Sequence, residues 1–426
     1  MSILQEKVMR RKATPILISC LILLISSAFR SYQPNHATQI SFTDGGSAAN
    51  TAISVPTATP QPTTAPTGSG PDQFPAGVNP LTGLPVANPD NLSLPPAFVS
   101  VTNFPTTARP QAGLSFSPFV FEMYIGEGMT RFLAMFYGDL PDEAAIAKQR
   151  GASSSVTVDY SVGPIRSGRL PYEKIRAQYG GFLVMASAWS GVASQLSDYS
   201  NIFGSDSNDV NSAMIKVTDL QKIASKSQER LKNTAALSGL RFDPSAPGGG
   251  QPGRMVWIPY NFLNQVIWRY DPAAGAYARF QDDADGVTFL PASDRLTQKA
   301  LTFENVVVMF VNHRARAETL IDLDLSYQNP TKAVIFRNGQ MYEAFWTTQN
   351  ADYEKQTGQL RPIRFVDATG KPFALAPGKT WVEIVPAFTP YYETVDSTAY
   401  LDLVKKQTPG SGNWAFQFYA PKITGK

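Results

Sequence analysis

Phe119-Val120-Phe121-Glu122-Met123-Tyr124-Ile125-Gly126-Glu127-Gly128-Met129-Thr130-Arg131-Phe132-Leu133-Ala134-Met135-Phe136-Tyr137 is the stretch on which the fold class turns. Two aromatic-rich runs with β-branched members flank a Gly-bearing loop, the pattern of two strands joined as a hairpin. If the loop is three residues, 126–128, Ile125 pairs with Met129 and Glu122 faces the same side as Thr130 and Phe132; a four-residue loop reverses the faces. Downstream, Leu170–Tyr179 reads as a helix whose start is marked by Ser167 and Pro171, and Phe182–Ala186 as a short buried strand. Val217–Leu240 reads as mainly helical, with Thr218 or Asp219 as its cap. This part of the chain is therefore mixed α and β.

Asp243-Pro244-Ser245-Ala246-Pro247-Gly248-Gly249-Gly250-Gln251-Pro252-Gly253 is the strongest internal break. It reads as a linker, 243–253, between an N-terminal α+β domain, 76–242, and a C-terminal domain, 254–426. The latter offers candidate strands at Met255–Tyr260, Gln265–Tyr270, Ala276–Gln281, Phe303–Asn312, Ala333–Phe336, Met341–Phe345 and Thr380–Val385, with Asn338-Gly339 as a two-residue hairpin turn. Helical periodicity is scarce there except near Ser397–Lys405. The expected class is α+β, with a mixed first domain and a mostly antiparallel β second domain.

Ahead of these lie two segments of other character. Lys7, Arg10, Arg11 and Lys12 precede an apolar run, Ala13–Phe29, which reads as a signal peptide or membrane anchor over residues 1–30. Leu17-Ile18-Ser19-Cys20 resembles a lipobox, which makes Cys20 a lipidation candidate, although five apolar residues follow it; Ser26-Ser27-Ala28 is a competing cleavage site. Residues 31–75, rich in Pro, Thr, Ser and Ala, bury too little apolar surface to offset their ordering entropy and read as a disordered tether. The expected location is extracytoplasmic, membrane-anchored or secreted.

Composition excludes several functions. One Cys and two His among 426 residues leave no disulfide framework and no Cys/His metal site, and no cofactor motif is present. Residues 1–30 carry five basic side chains and one acidic, whereas the remaining 396 carry 32 basic and 33 acidic. That balance argues against nucleic acid as a partner, because phosphate binding needs a basic stripe. His313 reads as a surface-loop residue, and Asp282-Asp283-Ala284-Asp285-Gly286 as a solvated turn that lacks the Glu of a calcium loop.

Three local sequences combine glycines with Arg: Arg109-Pro110-Gln111-Ala112-Gly113-Leu114, Gly126-Glu127-Gly128-Met129-Thr130-Arg131, and Val162-Gly163-Pro164-Ile165-Arg166-Ser167-Gly168-Arg169. Glycine lets the backbone approach a ligand, and the guanidinium fork suits carboxylate, phosphate or sugar hydroxyls. Arg109, Thr130, Arg131, Arg166, Ser167 and Arg169 are therefore the candidate ligand-binding residues. Arg131, Arg166 and Arg169 are expected to converge on one concave surface with Glu127 at its rim. The competing reading has Ser167 capping the helix and the arginines paired with local carboxylates. Glu122, inside an apolar strand, and Glu127 are the candidate catalytic acids for glycan cleavage; alternatively Glu122 pairs with Arg131 or another buried Arg and holds the fold.

In order, Asn79-Pro80-Leu81-Thr82-Gly83-Leu84-Pro85, Ala108–Leu114, Glu127–Phe132, Gly163–Arg169, Tyr270-Asp271-Pro272, Asn305–Val308 and Pro377–Val382 resemble the YerB-like family of two-domain bacterial envelope proteins, often called lipoproteins, over about residues 76–390. The family's usual Arg-Ser-Ala-Arg is here Arg166-Ser167-Gly168-Arg169, which spares both forks, and its His-containing turn has no His in Asp282–Asp294. The resemblance implies a membrane-tethered extracytoplasmic protein, with the membrane and a cell-wall polymer or envelope protein as partners, and implies no established reaction.

Overall fold

The computed structural model describes residues 68–150, 159–231, 235–326, 329–349, 352–359, 361–396 and 406–423. The N-terminal anchor with Cys20, the tether up to residue 67, and Ser397–Lys405 lie outside the described residues. The rest belongs to one compact unit, Thr63–Lys426. The last residues of the expected tether are held on it: Ser69 bridges to Phe242, and Asp72 accepts an ion pair from Arg361 at 2.6 Å.

The first half of the chain supplies β1 (Ala97–Thr102), β2 (Phe119–Gly126), β3 (Met129–Phe136), β4 (Phe182–Met185) and β5 (Tyr199–Asn201). It also supplies α1 (Glu143–Arg150), α2 (Pro171–Gln178) and α3 (Val217–Leu231). The second half supplies β6 (Met255–Asn261), β7 (Asn264–Asp271), β8 (Ala276–Asp282), β9 (Phe289–Pro291), β10 (Asn305–Val311) and β11 (Thr331–Arg337). It continues with β12 (Gln340–Thr347), β13 (Arg364–Val366), β14 (Thr380–Pro386), β15 (Tyr391–Glu393) and β16 (Asn413–Phe416). The class is α+β, and pairing in the second half is mostly antiparallel. Residues 235–240 are not helical, so α3 stops short of the expected Leu240.

Strand order in the large sheet is β13-β12-β11-β10-β14-β2-β3-β1-β4-β5, and in the smaller one β9-β8-β7-β6-β16-β15. The two sequence halves meet where β2 and β14 pair in parallel, from Phe119 opposite Thr380 to Met123 opposite Ile384. The segments 76–242 and 254–426 thus share one sheet across the break. The linker itself is pinned along it: Gln251–Pro252 pairs with β12, and Arg337 Nη2 donates to the Asp243 carbonyl at 2.9 Å.

The β2–β3 hairpin keeps the facing of the three-residue reading, with Glu122 opposite Phe132 and Tyr124 opposite Thr130, but Ile125 is bulged and Gly126 rather than Ile125 meets Met129, so the loop is the two residues Glu127 and Gly128. Gly126 has φ +103°, and a Cβ there would lie 1.8 Å from the Glu318 carbonyl oxygen, so only glycine fits. Asn338 and Gly339, at φ +51° and +70°, form the expected hairpin turn.

Period-two alternation then sorts the large sheet's side chains. Val120, Phe132, Ala134, Trp381 and Phe336 face a core shared with Ile258, Val266 and Trp268 of the smaller sheet and with Val217 and Leu220 of α3. Phe119, Phe121, Leu133, Met135 and Val382 face a second core closed by Tyr172, Ile175 and Tyr179 of α2. Every residue of β2 is buried, because the strand has a layer on both sides.

Candidate functional site

Thr130 and Arg131 are consecutive on β3 and therefore project to opposite faces. This divides the candidate residues into two groups. Glu122, Thr130 and Arg109 lie with the smaller sheet, whereas Arg131, Arg166, Ser167 and Arg169 lie on the α2 side.

On the first face, Glu122 is fully buried and both its oxygens are engaged: Oε1 accepts from Thr130 Oγ1 at 2.7 Å, and Oε2 is 2.6 Å from Arg279 Nη2. Asn103 Nδ2 donates to Thr130 Oγ1 at 2.9 Å, and Arg279 Nη1 donates to Gln281 Oε1 at 2.5 Å. The Arg279 guanidinium sits among rings, 4.9 Å from the centroid of Trp381 and 5.1 Å from that of Phe132. The parallel register places Glu383, also fully buried, beside Glu122. Its oxygens accept from Tyr260 Oη at 2.7 Å and Trp268 Nε1 at 2.8 Å. Burial, and then the charge of Glu122, push the Glu383 carboxyl up to about 8. One arginine thus compensates one of two adjacent carboxyls, and the second is held neutral.

Glu122 is paired with a buried arginine, and the partner is Arg279 rather than Arg131. Glu127 is exposed on the hairpin turn at φ +53°. Arg279 and Glu383 were not among the sequence candidates. The available signal was a charged residue inside each apolar strand, Trp381-Val382-Glu383-Ile384-Val385 and Tyr277-Ala278-Arg279-Phe280-Gln281. Nearby, Asp282 is fully buried rather than solvated: its carboxylate accepts from the backbone N–H groups of Ala284 and Gly286 and closes its own turn. His313 stands in a strand opposite Leu323 rather than in a surface loop, and burial lowers its imidazole to about 4. Among the described residues no cluster of three His, Cys, Asp or Glu side chains is placed to hold a metal ion.

On the α2 face, Pro164–Arg166 runs beside the end of β1, with Val101 bridged to Ile165 and Arg166 N–H donating to the Ser100 carbonyl at 2.9 Å. Arg131 Nη1 donates to the Ser167 carbonyl at 3.0 Å while its Nε has no partner; the Nε of Arg169 is likewise unpaired. Burial lowers the Arg131 guanidinium to about 10, Tyr172 opposes this, and Arg169 and Arg166 lower it further. Among the described residues none of the three arginines forms an ion pair with a carboxylate, so the expected local pairing is not what holds them. Nor does Ser167 cap the helix: Leu170 occupies that position, without a side-chain cap. No described contact ties Glu127 to this cluster. Arg166 and Arg169 remain partly exposed.

Two family descriptions match the chain, "Protein of unknown function (DUF3048) N-terminal domain" over residues 81–236 and its C-terminal domain over 256–382. A Bacillus subtilis relative bearing the name "Putative lipoprotein YerB" is 27% identical over 327 residues, which is 72% of this chain and 86% of that protein. The crystal structure of YerB protein from Bacillus subtilis matches with a TM-score of 0.54 at 26% identity, covering 72% of this chain and 96% of the other.

Proposed function

The chain belongs to the DUF3048 family, and from that premise we propose that it is an extracytoplasmic, membrane-tethered binding protein of a bacterial envelope, which takes an anionic group of a wall polymer or envelope partner on Arg131, Arg166 and Arg169. The observation that carries this reading is the gathering of three guanidinium groups, one of them buried, with no carboxylate among the described residues to neutralise them. Mutual repulsion and desolvation both oppose such a cluster, and a bound anion relieves both. Supporting it, the loop that follows β4 is tied to Arg166 by Ala186 N–H to its carbonyl at 3.0 Å, and carries Trp189, 66% exposed, an aromatic face suited to a sugar ring. The lipoprotein name of the relative and the basic-then-apolar N-terminus support the tethered location.

The test is cosedimentation of the full-length protein with purified cell walls, before and after extraction of their anionic polymers. An Arg166→Gln/Arg169→Gln double variant keeps the fold, because both side chains are partly exposed. Each charge-assisted bond lost should weaken binding about tenfold or more. Unchanged sedimentation of the double variant would overturn the assignment.

A further inference from the structure

A cavity of about 230 Å³ opens on the other face, between the loop that follows β1 and the strands β8 and β9. Its lining joins the two sequence halves: Asn103, Arg109 and Gln111 come from the first, Arg279 and Leu290 from the second, with Phe132 beneath. Arg109 is the unusual member. Its Nε donates to the Asn103 carbonyl at 3.2 Å and its Nη1 to the Asp282 carbonyl at 2.6 Å, its plane lies 4.8 Å from the Phe104 ring centroid, and its Nη2 has no partner. All its acceptors are neutral. Arg279, 2% exposed, likewise leaves Nε unpaired after Glu122 and Gln281 have taken its two terminal nitrogens. Arg109 is half-buried and its hydrogen-bond acceptors are all carbonyls, so it keeps part of its desolvation cost.

The acceptors available to a ligand are also specific. Asn103 and Gln111 each spend their amide nitrogens inside the protein, on Thr130 Oγ1 and the Thr102 carbonyl, and no described hydrogen bond uses Asn103 Oδ1 or Gln111 Oε1. One wall is apolar, formed by Phe132 and Leu290. The acids that line the site limit the charge it accepts: Asp282 is turned into its own loop, and Asp283 is exposed at the rim, while Glu122 lies behind Arg279 and outside the lining. We infer that this cavity binds a small monocarboxylate that also carries an N–H or O–H donor, its carboxylate on Arg109 and its donor on the Asn103 and Gln111 oxygens. A dianionic phosphate is disfavoured by Asp282 and Asp283. The volume is that of roughly eight water molecules, which suits an acylamino or hydroxy acid.

The site is independent of the arginine trio on the opposite face, and the experiment separates them. Titration calorimetry on the full-length protein in detergent would use N-acetylalanine, lactate, the neutral amide of N-acetylalanine, and inorganic phosphate. At least one of the two acids should bind, with the amide and phosphate each about tenfold or more weaker. Arg109→Gln should weaken the acid about tenfold, and Leu290→Glu, a substitution at a residue 49% exposed, should do so by repulsion without risk to the core. Arg166→Gln/Arg169→Gln should leave it unchanged. The inference is overturned if neither acid binds at about 20 mM, where a 1 mM site is nearly saturated. Equal binding of acid and amide, or undiminished binding by the folded Leu290→Glu variant, overturns it too.

Discussion

Replacing Glu383 with Gln should flatten the dependence of stability on pH. The carboxyl is fully buried beside Glu122, and its value of about 8 in the folded protein stands well above the ordinary 4.5. A group whose folded value is raised contributes stability that is fully present below its unfolded value and is lost as pH rises through the folded one, because the unfolded chain releases the proton first. The window therefore runs from about pH 4.5 to 8. Within it the loss is about 1.4 kcal/mol per pH unit, or roughly 3 kcal/mol between pH 5.5 and 7.5. Gln at this position has the shape of the neutral acid: its carbonyl still accepts from Trp268 Nε1, and its amide donates to the Tyr260 oxygen. Urea unfolding of both proteins at a series of pH values gives the difference directly. That difference cancels the opposite contribution of His313, whose lowered imidazole makes stability rise as pH climbs from about 4 to 6.5. Parallel curves for wild type and variant across pH 5.5–7.5 would refute the assignment of a neutral, buried Glu383.

Glu122→Gln removes the carboxylate paired with Arg279 and should cost about 3–5 kcal/mol by urea denaturation, since breaking one partner of a buried pair strands the other charge; a loss under about 1 kcal/mol would contradict the network. Both Asn338→Val and Asn338→Gly remove the acceptor of the buried Arg337 Nε, and Val at φ +51° adds backbone strain, so Asn338→Val should be about 1–2 kcal/mol less stable than Asn338→Gly. On the proposed tethered location, with the basic cluster Lys7–Lys12 inside and everything after about residue 30 outside, protease added to intact, wall-stripped cells should digest the folded part. Full protection of residues 76–426 would reject that topology.

Features set by neighbouring residues were legible in the sequence. The β2–β3 hairpin, the Asn338-Gly339 turn and the helix opening at Pro171 each depend on a few consecutive side chains. What escaped depends on partners far along the chain. Glu122 reads as an anomalous acid in an apolar strand, but nothing local names Arg279, 157 residues away, as its counterion. The candidate arginines were grouped because glycines surround them, yet Arg109 and Arg131 belong to opposite faces of a sheet. Period two alone separates Thr130 from Arg131. It required only the decision that β3 is sandwiched, and that decision depends on the smaller sheet.

The pairing of β2 with β14 has a consequence for the order in which the chain takes shape. On the edge away from β3, residues 119–123 find their neighbours at 380–384, so the middle of the large sheet closes by joining segments some 260 positions apart. Until the last part of the chain has emerged, β2 presents one unpaired, mostly apolar edge, the kind of surface on which newly made chains stick to one another. Contacts of such separation also form slowly. A polypeptide made from its N-terminus onward therefore passes through a vulnerable interval that ends only with the arrival of Thr380–Pro386. Truncation anywhere before that strand leaves the interval open for good.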